Sequence, residues 1–374
     1  MVKKVVESLA KKSTMKHQKL FAIEDLPVEV LLKVFNFLEL IDLYRCGQVS
    51  KRLKSVSLVE SLWQKVILLN NTRPEKTTVS NILVEKMLNR GCKTLCLKRC
   101  KITGIYLRHI FDDCFLDDCI KIDEKPGPPQ LINLDLYQCE FTNGSLETLL
   151  SSSHSLKKLS LTENNINLLN YDILRTFYSQ NGKTLQTLNL AFSYVIDYIQ
   201  IELIVKNCIV LKEVDLSDCR LSDYCIHLLV NGLTKNIEKV GLACSSSVKD
   251  ASIRILVSRC NKIKSLNLAF NYITDNSLIS IKENLEYTLE ELDVSGCYNI
   301  PHTKLLEMRS MQKLKVLNYF NPPRDCNYED LKKNLPQLTN NNPWEKWKAW
   351  HVGASHSYFE RRKHLWEIRG SPWI

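Results

Sequence analysis

Glycine is scarce, 11 of 374 residues, about half of ordinary usage. Gly-rich phosphate loops are therefore not expected to organise this chain. Long apolar runs are missing as well: no stretch approaches the ~18 uninterrupted apolar residues of a membrane helix. Residues 1–10 are interrupted by Lys3, Lys4 and Glu7 and lack the apolar core of a secretory signal. There is no CxxC and no His pair at zinc spacing. Cys92, Cys96 and Cys100 do recur every four residues, as ligands on one helical face would. The 14 cysteines are nevertheless read as reduced thiols of a cytoplasmic or nuclear protein, since nothing marks a secreted, disulfide-stapled scaffold. The eight histidines are scattered, and none stands beside a Ser or Cys in a nucleophile signature. No catalytic residue, cofactor or metal is expected.

The position of the charge says more than its total of +10. Residues 1–20 carry net +5 and residues 321–374 net +3, leaving +2 over the 300 residues between. A nucleic-acid binder concentrates basic charge on the folded face that meets phosphate. Half of it lies here in a short lead segment, so a nucleic-acid partner is not expected. Lys3-Lys4 and Lys11-Lys12 fit either a nuclear signal or a solvated tail.

What the chain does have is a repeat. A Leu-x-Leu core begins at Leu95, Leu134, Leu159, Leu188, Val214, Val240, Leu266 and Leu292. The intervals are 39, 25, 29, 26, 26, 26 and 26 residues. Leu317 follows 25 later, and Val66-Ile-Leu68 lies 29 before. Such a period marks a leucine-rich-repeat solenoid, with parallel strands on one side and helices on the other. Three residues past each core stands a small residue: Cys100, Cys139, Asn164, Ser193, Cys219, Ser245, Asn271 or Cys297. Ser222-Asp223 and Thr274-Asp275 follow as helix caps. The pattern resembles the cysteine-containing class of leucine-rich repeats over residues 66–320, with nine or ten strands. It places Cys100, Cys139, Cys219 and Cys297 at one inward position, and Cys208 and Cys260 at another near the helix ends. Strand alternation turns Cys96 outward, away from Cys100, which undercuts a shared metal.

The 39-residue interval carries an excess near 112–130, rich in Asp and ending in Pro126-Gly127-Pro128-Pro129. It reads as a loop ejected from the solenoid, either a tolerated insertion or an acidic partner site.

Residues 21–65 form a second pattern. Leu26-Pro27-Val28-Glu29-Val30-Leu31 opens an apolar helix that continues through Val34, Phe35 and Leu38. Leu43, Cys46, Val49-Ser50-Lys51 and Leu62-Trp63 follow. Pro27 suits a first helical turn, with Asp25 or Leu26 as cap. About 45 residues in three helices bury little surface, and the stripe is wider than one small core needs. This ordered set resembles an F-box, with Leu53 where the family usually has Trp. The chain is thereby identified as a member of the F-box/leucine-rich-repeat family.

The resemblance implies docking on the small Skp linker of a cullin-RING ubiquitin ligase, while the repeats hold a protein substrate. By motif position the docking residues are Leu26, Pro27, Val30, Leu31, Phe35, Leu38 and Leu43. Trp63 is expected to pack the F-box onto the first repeat. A repeat scaffold acting outside a ligase is the alternative.

Alternation also proposes a substrate row on the concave face. Its members include Asp135, Tyr137, Asn189, Asp215, Asn267 and Asp293, with Phe192 and Phe270 just beyond as anchors or rim packing. This row is acidic to neutral and favours a basic or neutral partner. Leu305 to Leu338 resembles the end of the solenoid in the S-phase kinase-associated protein two branch. Residues 321–374 hold five of the six tryptophans, on two short helices expected from Asn342-Pro343 and Ser357 to Gly370.

Overall fold

The structure is a computed structural model. It describes residues 22–69, 77–80, 87–88, 91–103, 131–142, 144–151, 153–164, 170–193 and 196–319. Near the end it also describes residues 331, 333–335 and 338–339. The basic segment 1–20, the insertion at 112–130 and the two tryptophan-rich helices expected after 341 lie outside these residues. The chain divides into two compact units, Met1–Leu62 and Trp63–Ile374.

Among the described residues the first unit holds three α-helices: α1 (Val28–Phe35), α2 (Leu40–Val49) and α3 (Lys51–Ser57). Pro27 is itself the residue that caps α1, in an extended conformation that suits its fixed φ. Asp25, one of the expected caps, instead closes the preceding turn by accepting from the Ala22 N–H at 3.0 Å. Ser50 ends α2 and starts α3, its hydroxyl accepting from Leu53 N–H. Leu53 is buried, so an aliphatic side chain fills the place where the family usually has an indole.

The second unit is a parallel solenoid. The repeated cores form β1 (Lys65–Leu69), β3 (Thr94–Lys98), β5 (Asn133–Tyr137), β7 (Lys158–Ser160), β8 (Thr187–Asn189) and β9 (Glu213–Asp215). They continue as β10 (Lys239–Gly241), β11 (Ser265–Asn267), β12 (Glu291–Asp293), β13 (Val316–Asn318) and β14 (Leu338–Thr339). These make one 11-stranded sheet. Val66, Leu95, Leu134, Leu159, Leu188, Val214, Val240, Leu266, Leu292 and Leu317 stand in one register, as the sequence intervals require. The sheet runs one strand past residue 320, because β14 pairs with β13.

A second, three-stranded parallel sheet was not anticipated. It joins β2 (Thr77–Ser80), β4 (Cys100–Thr103) and β6 (Glu140–Thr142) in the early repeats. Its Thr, Val, Ile and Phe residues favour extended backbone. From α4 (Ser145–Ser151) onward the return segments are helical: α5 (Tyr171–Asn181), α6 (Tyr198–Asn207), α7 (Asp223–Gly232), α8 (Asp250–Arg259), α9 (Asp275–Leu285) and α10 (His302–Leu305). Ser222 and Thr274 cap α7 and α9 through their hydroxyls, as their sequence positions indicate.

Two ladders lock the turns. Past each strand one residue takes a left-handed backbone: Arg99, Gln138, Glu163, Phe192, Asp218, Cys244, Phe270 and then Gly296. Each of the first seven donates its N–H to a carbonyl of the next repeat, as Phe192 does to Ser217 at 2.9 Å. The following residue is the small ladder position, and it reaches back one repeat. Cys139 donates to the Leu97 carbonyl at 3.2 Å, Cys219 to Leu190 at 3.0 Å and Cys297 to Leu268 at 3.2 Å. Asn164, Ser193 and Asn271 make the equivalent bond to Leu136, Leu161 and Leu242. The cysteines are therefore buried donors as well as core packing.

Candidate partner-binding surfaces

On α1, an apolar stripe too wide for one core divides into two faces. Leu31 and Phe35 point inward and are buried, as is Leu43 on α2. These three were expected in a docking surface; burial places them in the core instead, where they hold the helices together. Val30 and Val34 line the outer side of α1, Val28 is exposed at its first residue, and Phe37 beyond its end is 89% exposed. Leu26 and Leu38 are half-buried and Pro27 is exposed. The accessible apolar surface thus combines expected residues with Val28, Val34 and Phe37. Val34 and Phe37 stand at i+4 and i+7 from Val30, which marks this face in the sequence. Trp63 is buried and falls within the second unit.

The concave sheet carries two outward rows that differ in what they do. The second row is occupied largely by Asx residues that bond to their own backbone. Asn189 accepts from Ala191 N–H at 3.0 Å, Asp215 from Ser217 at 2.9 Å, Asn267 from Ala269 at 3.1 Å and Asp293 from Ser295 at 3.0 Å. Each side chain closes the end of its short strand, satisfying an amide that the three-residue ladder leaves over. Asp215, Asn267 and Asp293 are consequently buried. They were expected as substrate contacts; their geometry makes them structural first.

Phe192 and Phe270 belong to rim packing. Phe192 is 5% exposed and joins Tyr137, Ala191, Ala243 and Ala269 in an apolar cluster against which Cys244 and Phe270 pack. The Phe270 ring lies over Gly296, where an added Cβ would stand 2.2 Å from it. Tyr137 is equally buried. Of the eight expected substrate residues, only Asp135, Asn189 and Phe270 are not fully buried.

Between these rows lies a groove of about 270 Å³. Asp135, Ser160, Asn189 and Asp215 form its centre, with Thr162 and Tyr137 on one side and Lys158, Thr187, Glu213 and Lys239 on the other. Lys158, Ser160, Thr162 and Lys239 are absent from the sequence-based row. The same alternation applied to Lys158-Leu159-Ser160 and Lys239-Val240-Gly241 would have found them. They also change the electrostatics: the face is mixed in charge, not acidic to neutral. Lys239 pairs with Glu213 at 2.9 Å. Gly241 leaves room for the Asp215 carboxylate, whose Oδ1 is 2.3 Å from where a Cβ would stand.

The thiols are chemically quiet. Burial pushes Cys92 and Cys260 up to about 11, and Cys208 and Cys297 up to about 12. Cys96 is raised to about 12, by burial first and then by the Asp135 carboxylate. Its Sγ lies 3.7 Å from Asp135 Oδ2, while Cys100 bonds the Lys98 carbonyl in the core, so the two face opposite sides.

Residues 23–69 match a family model described as F-box-like, and residues 84–369 match one described as the SKP2 LRR domain. The chain belongs to the F-box/leucine-rich-repeat family, with SKP2-type repeats. The repeat match extends through the tryptophan-rich segment, beyond Leu338 where the sequence reading ended that resemblance. The F-box match includes α1, α2, α3 and β1. Among solved structures, the internalin inlF of Listeria monocytogenes is 18% identical, with a TM-score of 0.44 over 83% of this chain and 79% of that one. The Rad7 and Elc1 complex of yeast aligns at 15% identity and a TM-score of 0.44, over 91% of this chain and 94% of that one. The Listeria internalin C2 aligns at 16% and 0.33, over 50% of this chain and 70% of that one. Among the described residues no helix of the family member is long and apolar enough to cross a membrane.

Proposed function

We propose that this protein is the substrate-recognition subunit of an SCF-type cullin-RING ubiquitin ligase. In this reading the F-box docks on the Skp linker, and through it on the cullin, while the repeats hold the protein to be ubiquitinated. The chain performs no bond-making of its own and acts as a non-catalytic adaptor. It raises the local concentration of substrate lysines near a conjugating enzyme carried elsewhere in the assembly. The observation that carries the reading is the outer face of α1. Val30, Val34 and Phe37 are solvent-exposed on a three-helix unit whose own core is already filled by Leu31, Phe35, Leu53 and Val56. Contiguous apolar surface of this kind marks an interaction site.

The test uses the full chain and the purified Skp linker. Val30→Asp with Val34→Asp alters exposed positions only, so the fold should survive by circular dichroism. Linker affinity should fall at least about tenfold, the effect of losing central apolar contacts. Unchanged affinity in the folded double variant would overturn the docking assignment and favour a scaffold outside a ligase.

A further inference from the structure

The concave groove treats its charges unequally. Glu213 is engaged by Lys239 and accepts from the Thr187 hydroxyl at 3.4 Å. Asp215 bonds its own strand end, as Asp293 does further along the sheet, where Glu291 accepts from Ser265 at 3.1 Å. Two charges remain uncommitted. Among the described residues the Lys158 side chain makes no hydrogen bond or ion pair, and the Asp135 carboxylate has only the weak Cys96 thiol contact at 3.7 Å. Asp135 is also the Asx residue of the row that does not close its own strand end. In the next repeat Ser160 stands at the equivalent position.

Their placement is set by the strand register. Asn133 stands beside Lys158, and Asp135 beside Ser160, on adjacent parallel strands. Lys158 and Asp135 are therefore diagonal neighbours on one face, two residues along and one strand across. Strands ~4.8 Å apart with a rise of ~6.6 Å per two residues put their Cα atoms about 8 Å apart. That separation is close to the repeat of alternate side chains in an extended peptide, ~6.6–6.8 Å. The floor between them is polar and small, with the Ser160 and Thr162 hydroxyls 3.2 Å apart. At about 270 Å³, the groove is below the usual range of enclosed small-molecule sites, about 300–1,000 Å³. It suits side chains of a protein segment better than a buried metabolite.

We infer that this groove selects an extended protein segment carrying an acidic and a basic side chain two residues apart, the acid meeting Lys158 and the base meeting Asp135. The inference deepens the substrate-receptor reading by naming the chemistry of what is held. Opposite charges on one short segment satisfy both free groups at once. A uniformly basic segment would leave Lys158 facing a like charge, and a uniformly acidic one would do the same to Asp135. Such mismatches cost more than matched rim pairs contribute.

The probe is a set of fluorescent peptide libraries of fixed pattern Glu-x-Lys, Lys-x-Glu, Lys-x-Lys and Glu-x-Glu within Ala/Ser flanks, titrated against the full chain at low salt. One of the two mixed patterns should bind best, by roughly three- to tenfold over either uniform pattern. Lys158→Glu should transfer the preference to Lys-x-Lys, and Asp135→Lys should transfer it to Glu-x-Glu. The double exchange should restore a mixed preference with the order reversed. These are groove-surface changes, and an unaltered thermal midpoint confirms folding. Equal binding of all four libraries, or a preference that survives Lys158→Glu, would overturn the inference. Linker binding is measured on the same samples. A chain that binds the Skp linker but shows no charge preference loses this inference and keeps the ligase reading. A charge preference without linker binding does the reverse.

Discussion

The small ladder position shows how one atom decides what a residue is worth. Ser193 donates to the Leu161 carbonyl at 2.8 Å inside the core. Ser245 occupies the equivalent place, yet its buried hydroxyl has no partner among the described residues. Its backbone N–H is satisfied instead by the Asn271 side chain, which also reaches the Leu242 carbonyl. A buried hydroxyl without a partner bears a desolvation cost with no return. Ser193→Ala should therefore destabilise the solenoid by about 1 kcal/mol, the typical net value of a hydrogen bond. Ser245→Ala should be neutral or slightly stabilising. Chemical-denaturation midpoints of the two variants check this, and an equal loss in both would contradict the ladder geometry. Sequence alone gives no hint of the difference, since both positions are a serine three residues past an apolar core.

At the scale of elements, strand cores and their register are legible because spacing alone aligns them. The 25-, 26- and 29-residue intervals correspond directly to paired Leu and Val residues from Leu134 to Leu317. Which outward residues are accessible is less legible. Alternation gives the side of the sheet, but it does not reveal that Asp215 and Asp293 turn back to their own amides. The same limit holds on α1, where periodicity marks Leu31 and Val30 alike as apolar and packing separates them.

The cysteine ladder has a pH consequence. Burial raises the Cys208 and Cys297 thiols to about 12, whereas an unfolded thiol ionises near ~8.5. The folded state then holds more protons than the unfolded one between those values. Stability from these thiols is complete below ~8.5 and declines as pH rises toward 12. Urea midpoints at pH 7.5, 8.5, 9.5 and 10 should fall across that window. The fall should be shallower in Cys297→Ala, and identical slopes would argue against a buried neutral thiol.

The whole solenoid behaves as a line of units in which each repeat meets only its neighbours. Lys239 stands beside Ser265 and Glu213 in one register. Deleting residues 239–264 brings Ser265 to the place of Lys239 and rejoins every ladder. The shortened chain should remain folded with a modestly lower thermal midpoint. Deleting residues 239–251 removes half a repeat, faces leucines outward and should abolish the cooperative transition. Thermal scans by circular dichroism separate the two, and comparable behaviour of both deletions would refute the modular account.

The Asx row has a consequence for how such a receptor acquires new tastes. Side chains that fasten their own strand ends are not free to change, so Asn189, Asp215, Asn267 and Asp293 are closed to mutation. Variation that leaves the fold intact falls on Asp135 and on the neighbouring row, where Lys158, Thr187, Glu213 and Lys239 stand. A lineage seeking a different partner therefore explores a string of letters, one per repeat, and can rewrite them one at a time.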